Sequence, residues 1–453
     1  MAAPKTFSIR TFGCQMNEHD SERLAGLLVA DGLVRAPDDE VADVVVLNTC
    51  TIRENADLKL YSALGHLKAL KEQRPDMQIA VGGCMAQKDR GAIQQRANWV
   101  DVVFGTHNLA AAPLLLRRAR SEGPLTEVLD APDPEANRDM APALYAVRES
   151  PFAAWITIQT GCDNTCAYCI VPSVRGQEIS RPMQDVIDEA TMLASSGVVE
   201  LTVLGQNVNS YGRDITKRGP LFADLLRALG EVPGVERIRF TSPHPKDLRP
   251  ETIAAMAETK AVCPQLHLPL QHGANRVLAA MRRGYSVERY LERLASAREA
   301  IFDLAVTTDL IVGFPGETEQ DLEDTATLLE DVGYDAVFAF KYSPRPNTPA
   351  ITMQDAIPEE EKTRRLNVLN EHQREIQRRN YQRHVGQVVE AMVEGEQHKL
   401  GQVPGRTTQN KPLNFTVPEG VALPKAGSYV QVLVTRAHPN SLVGEMISAE
   451  PTK

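Results

Sequence analysis

The order of apolar and polar stretches divides this chain into three regions. Apolar stretches of strand length alternate with amphipathic stretches of helix length from residue 5 to about 120, and again from 153 to 343. After Gly386 the pattern changes to short alternating segments separated by glycine and proline. Alternating strands and helices predict parallel sheets, whereas short, closely spaced strands predict a small barrel. We therefore expect an α/β protein that ends in a β-barrel.

The first region, residues 4–120, predicts a doubly wound parallel sheet. Strands are expected at residues 5–13, 43–50, 78–84 and 99–106. The segment DVVVLNTC (43–50) is a continuous apolar run, which is typical of a strand buried on both faces. Asp20 or Ser21 is suited to cap a helix after the first strand, and a second helix is expected from about Glu54 to Lys71.

The central region, residues 148–380, predicts a partial (β/α)6 barrel. Strands are expected at residues 153–160, 199–205, 237–242, 265–270, 305–314 and 336–343. Active sites of such barrels lie at the carboxyl ends of the strands, and polar residues follow the strands here. This polar set is Gln206, Asn207, Asn209, Ser242, His244, Lys246, Gln271, His272, Glu317, Arg345 and Asn347. In GFPGET, Gly313 and Gly316 would let the backbone come close to a flat ligand.

Two segments flank this region. Residues 121–147 hold clustered acids and prolines, which predict a linker. A long amphipathic helix is expected from Pro358 to about Arg383, and the barrel then spans residues 381–449. Small barrels of this kind often bind oligonucleotides, which makes several of its side chains candidates for phosphate or base contacts, with ordinary surface as the alternative. These candidates are Arg406, Asn410, Lys411, Asn414, Phe415 and Arg436.

Composition restricts the class of protein. The chain is 43% hydrophobic, has no apolar run near the ~20 residues that span a bilayer, and lacks a signal-peptide pattern at its N-terminus. We therefore expect a cytoplasmic protein without a membrane partner, in which the seven cysteines are reduced. The net charge of −10 argues against coating nucleic acid through bulk charge, although a local RNA-binding surface remains open.

Three cysteines follow three different predicted strands of the N-terminal sheet. Cys14, Cys50 and Cys84 each stand at or just after a strand end. Ligands of open parallel sheets bind at that edge, so the three thiols can meet there. Three separate core cysteines are the alternative, since a cytosolic cysteine is often simply buried. The shared position in three βα units favours a metal or cluster site.

A second set lies in the run GCDNTCAYCIVPSVRG. Cys162, Cys166 and Cys169 bring three thiols into one loop, whereas closed zinc sites and electron-transfer clusters take four ligands. Three ligands leave one metal position open to water, substrate or cofactor. A zinc loop with a distant fourth ligand and chance clustering are the alternatives. Cys263 has no cysteine nearby and is expected to be structural.

At this point the chain resembles a known family. GCDNTCAYCIVPSVRGQEISRP resembles the cluster loop of radical S-adenosylmethionine (SAM) enzymes, specifically the methylthiotransferases. TFGCQMNEHDSE, VVVLNTCTIRENAD and VGGCMAQ are similar to that family's own cluster-binding domain, and the C-terminal barrel is similar to its TRAM domain. The resemblance covers the whole chain apart from the linker, and all six cysteine positions are filled in order.

The resemblance implies two [4Fe-4S] clusters. Cys162, Cys166 and Cys169 would hold the SAM-binding cluster, where one electron cleaves SAM to a 5′-deoxyadenosyl radical. Cys14, Cys50 and Cys84 would hold an auxiliary cluster carrying the sulfur that a second SAM methylates. SAM would thus be both methyl donor and radical source. The resemblance further implies SAM contacts by Gln206, Ser242, Gly313 and Gly316, and it gives Tyr168 and Arg175 no assigned role.

The sequence motifs around Cys14 and Cys50 are most similar to those of the tRNA-acting members, which convert N6-isopentenyladenosine to its 2-methylthio derivative. The implied partners are the tRNA anticodon stem-loop and an electron donor such as flavodoxin or ferredoxin, and the implied state is a monomer. One alternative is a sister enzyme acting on threonylcarbamoyladenosine or on a ribosomal-protein aspartate. Another is a non-catalytic, RNA-binding iron–sulfur redox sensor.

Overall fold

The fold is described from a computed structural model covering residues 4–39, 41–51, 55–131, 147–216, 219–354, 356–398 and 401–449. It contains the three regions that the sequence predicts: a parallel α/β sheet, an open barrel of parallel strands and a closed β-barrel. In the parts of the chain so described, no helix has both the length and the apolar character to cross a bilayer.

The N-terminal sheet has six parallel strands in the order β2-β1-β3-β4-β5-β6. They are β1 (Thr6–Phe12), β2 (Val34–Arg35), β3 (Val44–Thr49), β4 (Gln78–Gly83), β5 (Val102–Phe104) and β6 (Leu125–Glu127). Its helices are Gln15–Ala30, Asn55–Gln73, Cys84–Asp89, Ala92–Arg96 and Ala112–Glu122. Alternate residues of β3 enter different cores, with Val45 and Leu47 on one face and Val44 and Val46 on the other. The prediction of a strand buried on both faces is confirmed.

Two predictions for this region were wrong in detail. The first helix begins at Gln15 with Cys14 at its N-cap, so Asp20 and Ser21 lie inside it. Their side chains instead bond to other elements: Asp20 to Arg175 at 2.6 Å and Ser21 to Asn48 at 2.9 Å. The segment expected to be a linker from 121 begins with the end of a helix and supplies β6, because β6 pairs with β5. Its prolines from 132 to 146, like Glu54, lie outside the described residues.

The central region contains six parallel strands in two joined sheets. Sheet order is β7-β10-β11 and β12-β13-β14, and a parallel bridge from Ile238 to Val262 connects them. The strands are β7 (Ala153–Thr157), β10 (Glu200–Leu204), β11 (Arg237–Phe240), β12 (Gln265–His267), β13 (Ala305–Val312) and β14 (Ala336–Lys341). A short antiparallel pair, β8 (Gln159–Thr160) with β9 (Ile179–Ser180), closes the base of the second cysteine loop.

Helices cover the outside of this open barrel. They are Val171–Arg175, Met183–Ser195, Phe222–Gly230, Pro250–Glu258, Asn275–Ala280, Val287–Ala300, Glu319–Val332 and Glu359–Gln382. The last is the predicted long helix: Leu369 and Ile376 pack in the core of the open barrel, whereas Tyr381 packs in the core of the C-terminal barrel. Arg374 and Arg378 lie on its exposed face, as expected, but Arg365 is buried beside Glu317.

The C-terminal barrel closes in the order β15-β16-β17-β19-β18. Its strands are β15 (Val388–Val393), β16 (Gln402–Thr407), β17 (Pro412–Thr416), β18 (Tyr429–His438) and β19 (Ser441–Ala449). Inward-facing residues such as Val403, Phe415 and Val432 fill it. It docks at the amino-terminal end of the central strands, where Arg239 of β11 donates to Thr407 O at 3.0 Å and Thr408 O at 2.8 Å.

Candidate active site

The three N-terminal cysteines lie at one edge of the sheet. Cys14, Cys50 and Cys84 directly follow β1, β3 and β4, which are neighbours in the sheet and parallel. Their carboxyl ends therefore meet, and the thiols of Cys14 and Cys50 lie within hydrogen-bonding contact. The structure thus brings together the three cysteines that the sequence placed on separate βα units.

Two buried asparagines hold this edge in place. The Cys14 thiol donates to Asn17 Oδ1 at 3.4 Å, and Asn48 Nδ2 donates to the Asn17 carbonyl at 2.8 Å. Asn17 belongs to the CQMN motif and Asn48 to LNTC, so the two motifs are joined below their cysteines. A methyl group on Gly83 would collide with the Asn48 side chain, which explains a glycine immediately before Cys84.

The three thiols differ in acidity. The pKa of Cys14 is lowered to about 6, chiefly by the hydrogen bond from Cys50, while burial opposes the change. Burial raises the pKa of Cys84, and the nearby Arg175 partly offsets this. Metals bind the thiolate form of cysteine. Cys14 is therefore already suited to bind a metal at neutral pH, whereas Cys84 must first lose its proton.

The second set lies in the loop closed by β8 and β9. Cys162 N donates to Gly176 O at 3.1 Å, and Ala167 N donates to Met281 O at 2.9 Å, which fixes the loop to the barrel. Asn164 Nδ2 donates to Cys162 Sγ at 3.4 Å. Burial raises the pKa of Cys162 and raises that of Cys169 to about 12. A positively charged metal would therefore have to displace protons from this set.

Both sets fit an iron–sulfur cluster better than a single ion. Among the described residues, no group of three or more His, Cys, Asp or Glu side chains could hold one metal ion. A cubane is larger than an ion, and it is bound by cysteine thiolates alone. Three thiols, with one position left open, are a donor set suited to an iron–sulfur cluster with one open iron.

A cavity of about 660 Å³ lies between the two sets. Gly13, next to Cys14, and Cys169 both line it. Strands β13 and β14 complete the wall with both apolar and charged side chains, including Asp309, Ile311, Phe340, Lys341 and Tyr342. The volume lies within the ~300–1000 Å³ typical of small-molecule sites. A ligand in this cavity would be in reach of both thiol sets.

Arg175 connects the two sets directly. It ends the helix Val171–Arg175, which follows Cys169, yet its guanidinium lies beside Cys84 and pairs with Asp20 at 2.6 Å. Cys84 also packs against Ile170 and Val174 of the same segment. The motif residue to which the sequence gave no role therefore belongs to the N-terminal thiol set.

The relatives identify the family. The chain is 49% identical to the tRNA-2-methylthio-N(6)-dimethylallyladenosine synthase of Thermobifida fusca over 98% of this chain and 90% of that protein. It is 50% identical to the enzyme of the same name from Acidothermus cellulolyticus, over 98% of this chain and 88% of that protein. The chain belongs to this family. The resemblance inferred from the sequence is confirmed.

Three domain families match successive parts of the chain. Residues 6–105 match the Uncharacterized protein family UPF0004, residues 156–329 the Radical SAM superfamily and residues 382–447 the TRAM domain. Membership of the Radical SAM superfamily implies a [4Fe-4S] cluster and SAM as cofactors. The TRAM match and the family name imply a tRNA substrate.

Solved structures share the fold at low sequence identity. The radical S-adenosylmethionine methyltransferase TsrM from Kitasatospora setae, with cobalamin and a [4Fe-4S] cluster bound, superposes with a TM-score of 0.57. It is 14% identical and covers 77% of each chain. The cobalamin-dependent radical enzyme OxsB gives 0.51 at 12% identity, over 82% of this chain and 56% of that one. Both likenesses concern the fold alone.

The predicted SAM contacts lie at the strand ends. The Oε1 atom of Gln206 is buried without a hydrogen-bond partner among the described residues, so a donor on a ligand would satisfy it. Ser242 adopts a φ of 59°, in the left-handed region that non-glycine residues uncommonly adopt. Gly316 faces open space, whereas Gly313 packs against Lys362. The contacts of these four residues with SAM stay a prediction.

The predicted RNA contacts on the C-terminal barrel need correction. Phe415 is 0% exposed in the barrel core, and Lys411 is 2% exposed and paired with Asp335 of the central region. Arg406 pairs with Glu394, and its carbonyl accepts from Arg237. This edge is the docking surface between domains, so Lys411 and Phe415 are not available to RNA. Arg436 is exposed on β18 and remains a candidate, as does half-buried Asn414.

The sequence gave no indication of several residues that the structure places at the site. Arg283 donates to Cys166 Sγ at 3.3 Å, and Asp20 binds Arg175. Phe340 and Asp309 line the cavity from neighbouring strands. Alternation along β13 and β14 is a signal that could have placed Asp309 and Phe340 on the inner face.

Proposed function

We propose that this chain methylthiolates C2 of N6-isopentenyladenosine at position 37 of tRNA, next to the anticodon. The product would be 2-methylthio-N6-isopentenyladenosine. The observation that carries this proposal is the cavity flanked by Gly13, beside Cys14, and by Cys169. The name shared by relatives of about 50% identity supports this substrate over those of the sister enzymes.

The two cysteine sets would hold the iron–sulfur cofactors. Cys162, Cys166 and Cys169 would hold the SAM-binding cluster, and Cys14, Cys50 and Cys84 would hold an auxiliary cluster. When bound, these groups supply the radical chemistry, sulfur and methyl group needed to replace an inert purine hydrogen. A purine carbon–hydrogen bond is too weakly acidic for the ordinary bases of a protein, which explains why such groups are required.

The chain's own residues would bind and orient the nucleotide. Phe340, 45% exposed on the inner face, offers a flat surface on which a base can stack. Ile311 and Leu366 supply apolar wall for an isopentenyl group and keep water away from it. Lys59 and Arg345 add positive charge that favours the phosphates of an anticodon stem-loop.

The remaining partners follow from the same reading. An electron carrier such as flavodoxin or ferredoxin would reduce the protein, which would act in the cytoplasm as a monomer. Gly13, next to Cys14, and Cys169 both line the cavity, so one bound nucleotide can approach both thiol sets within a single chain. This arrangement supports a monomer as the functional unit.

Anaerobic assays of the reconstituted protein test the proposal. With a reductant, SAM and tRNA carrying isopentenyladenosine, we expect 5′-deoxyadenosine and the 2-methylthio nucleoside, both measured by mass spectrometry. Cys50→Ala should retain 5′-deoxyadenosine formation but lose methylthiolation, because it removes a ligand from one set only. Cys263→Ala, at the other end of the strands, is the matched control and should retain both.

Three results would contradict the proposal. Absence of 5′-deoxyadenosine from the loaded wild-type protein would exclude a radical SAM enzyme. Methylthiolation by the Cys50→Ala variant would exclude the auxiliary cluster. Modification of threonylcarbamoyladenosine in place of isopentenyladenosine would assign the chain to a sister activity.

A further inference from the structure

Arg283 is buried beside the second cysteine set. It follows the helix Asn275–Ala280 and is only 5% exposed. Every nitrogen of its guanidinium group has an acceptor: Nε donates to Tyr285 OH at 3.1 Å, Nη2 to Pro269 O at 3.2 Å and Nη1 to Cys166 Sγ at 3.3 Å. The group is therefore held in one orientation, with one N–H aimed at a sulfur ligand.

The charge of Arg283 is balanced differently from that of Arg175. Arg175, beside Cys84, forms an ion pair with Asp20 at 2.6 Å. The hydrogen-bond partners that the described residues give Arg283, apart from the cysteine, are a phenol and a backbone carbonyl. A bonded carboxylate therefore balances the guanidinium beside the first thiol set, whereas none is bonded to Arg283 among the described residues.

A nearby positive charge raises the reduction potential of a redox centre. Adding an electron makes an iron–sulfur cluster more negative, and a nearby cation stabilises that state most strongly where water is excluded. Hydrogen bonds to the cluster sulfurs shift the reduction potential in the same direction. Burying a guanidinium is costly, so its place beside a ligand sulfur calls for more than a packing explanation.

We propose that Arg283 is a positioning residue that raises the reduction potential of the cluster held by Cys162, Cys166 and Cys169. The cluster would then accept an electron from its donor more readily. This inference rests on the proposed function, since it requires the cluster. It concerns a side chain outside the cysteine loop, 117 positions from Cys166.

Redox titration of the loaded full-length chain tests this inference. In a background of Cys14→Ala, Cys50→Ala and Cys84→Ala, only the second set can bind a cluster, and its reduced form is followed by electron paramagnetic resonance. Arg283→Gln should shift the one-electron equilibrium about tenfold toward the oxidised form, which is about 59 mV. Arg283→Lys keeps the charge but shortens the reach, so its shift should be smaller.

Arg282→Gln is the matched control. Arg282 is adjacent and exposed, so its charge is screened by water and its removal should leave the potential unchanged. Arg283→Gln with full iron content and the parental potential would overturn the inference. If Arg283→Gln does not load iron, the neutral Arg283→Met variant decides the question, because a potential equal to that of the parent would then overturn the inference. A parent that binds no [4Fe-4S] cluster would instead overturn the proposed function.

Discussion

At the scale of single residues, thiols with the same chemical task have different proton affinities. Cys14 lies at a helix N-terminus and receives a hydrogen bond from Cys50, and its pKa falls to about 6. Cys169 lies in an apolar surrounding, and burial raises its pKa to about 12. Both are partly exposed to solvent, so their reactivity will follow the thiolate fraction.

We expect Cys14 to react first with iodoacetamide in protein freed of iron by chelation. At pH 7 Cys14 is mostly thiolate, and its alkylation rate should fall as the pH drops through about 6. Cys169 stays protonated from pH 6 to 9 and should react slowly throughout. Peptide mass spectrometry measures both rates, with Cys14→Ser as control. Equal rates at pH 7 would contradict the assigned acidities.

At the scale of elements, strand β14 exposes aromatic side chains inside the open barrel. Phe338 and Phe340 are 52% and 45% exposed, although neighbouring Ala339 packs against the core. β14 ends the sheet, so one of its edges has no paired strand. Of the two rings, Phe340 lines the cavity, and an exposed aromatic ring in a cavity wall points to a ligand that stacks on it.

Phe340→Ala should therefore weaken turnover rather than folding. Stacking on an aromatic ring contributes about 1–3 kcal/mol per base, so kcat/KM for tRNA should fall roughly tenfold or more. The melting temperature should change little, because nearly half of the ring is already exposed. Phe302→Ala, at a ring that is 95% exposed outside the cavity, is the matched control and should leave both unchanged. Unchanged kcat/KM in Phe340→Ala would remove the ring from substrate binding.

At the scale of the whole molecule, buried charges fix the C-terminal barrel to the central region. Lys411 pairs with Asp335, Arg237 pairs with Glu390 at 2.7 Å, and Arg239 donates to two barrel carbonyls. These contacts occupy the edge of β16 and the turn after it. An RNA surface on this barrel must therefore lie outside this edge, for example at exposed Arg436 on β18.

Lys411→Met and Arg436→Met should separate docking from RNA binding. Removing Lys411 leaves buried Asp335 with the more distant Arg383, at 4.0 Å, as its cationic neighbour, which costs up to about 3 kcal/mol and should lower the melting temperature. Removing exposed Arg436 should leave stability unchanged but weaken tRNA binding, with a smaller salt dependence. Thermal unfolding and filter binding measure the two effects. A stable Lys411→Met variant with weaker tRNA binding would reverse these assignments.

Local pattern was sufficient for the fold and for the cysteines. Each thiol stands next to its own strand or within its own loop, so spacing and strand ends predicted both sets. The charged contacts were not predictable in this way. Asp20 and Arg175 are 155 positions apart, and Arg239 and Thr407 are 168 apart. Such pairs depend on how domains pack, and no short stretch of sequence contains that information.

The candidate RNA contacts on the C-terminal barrel show the same limit of prediction from sequence. Arg406, Asn410 and Lys411 have the composition of an RNA-binding edge, yet Arg406 pairs with Glu394 of the same barrel and Lys411 pairs with Asp335 of the central region. A cationic residue in a sequence indicates only that an anionic neighbour is expected. Whether that neighbour is a phosphate or Asp335 is decided by tertiary structure.

The cavity has walls from two domains. Gly13 and Lys59 come from one, and Cys169 and Phe340 from the other. We therefore expect the interface between the two domains to determine which substrate is selected. Exchanging the N-terminal domain for that of a sister enzyme would replace half of the recognition surface while the radical-generating half stayed intact, so a chimera could change its nucleoside without losing its ability to cleave SAM.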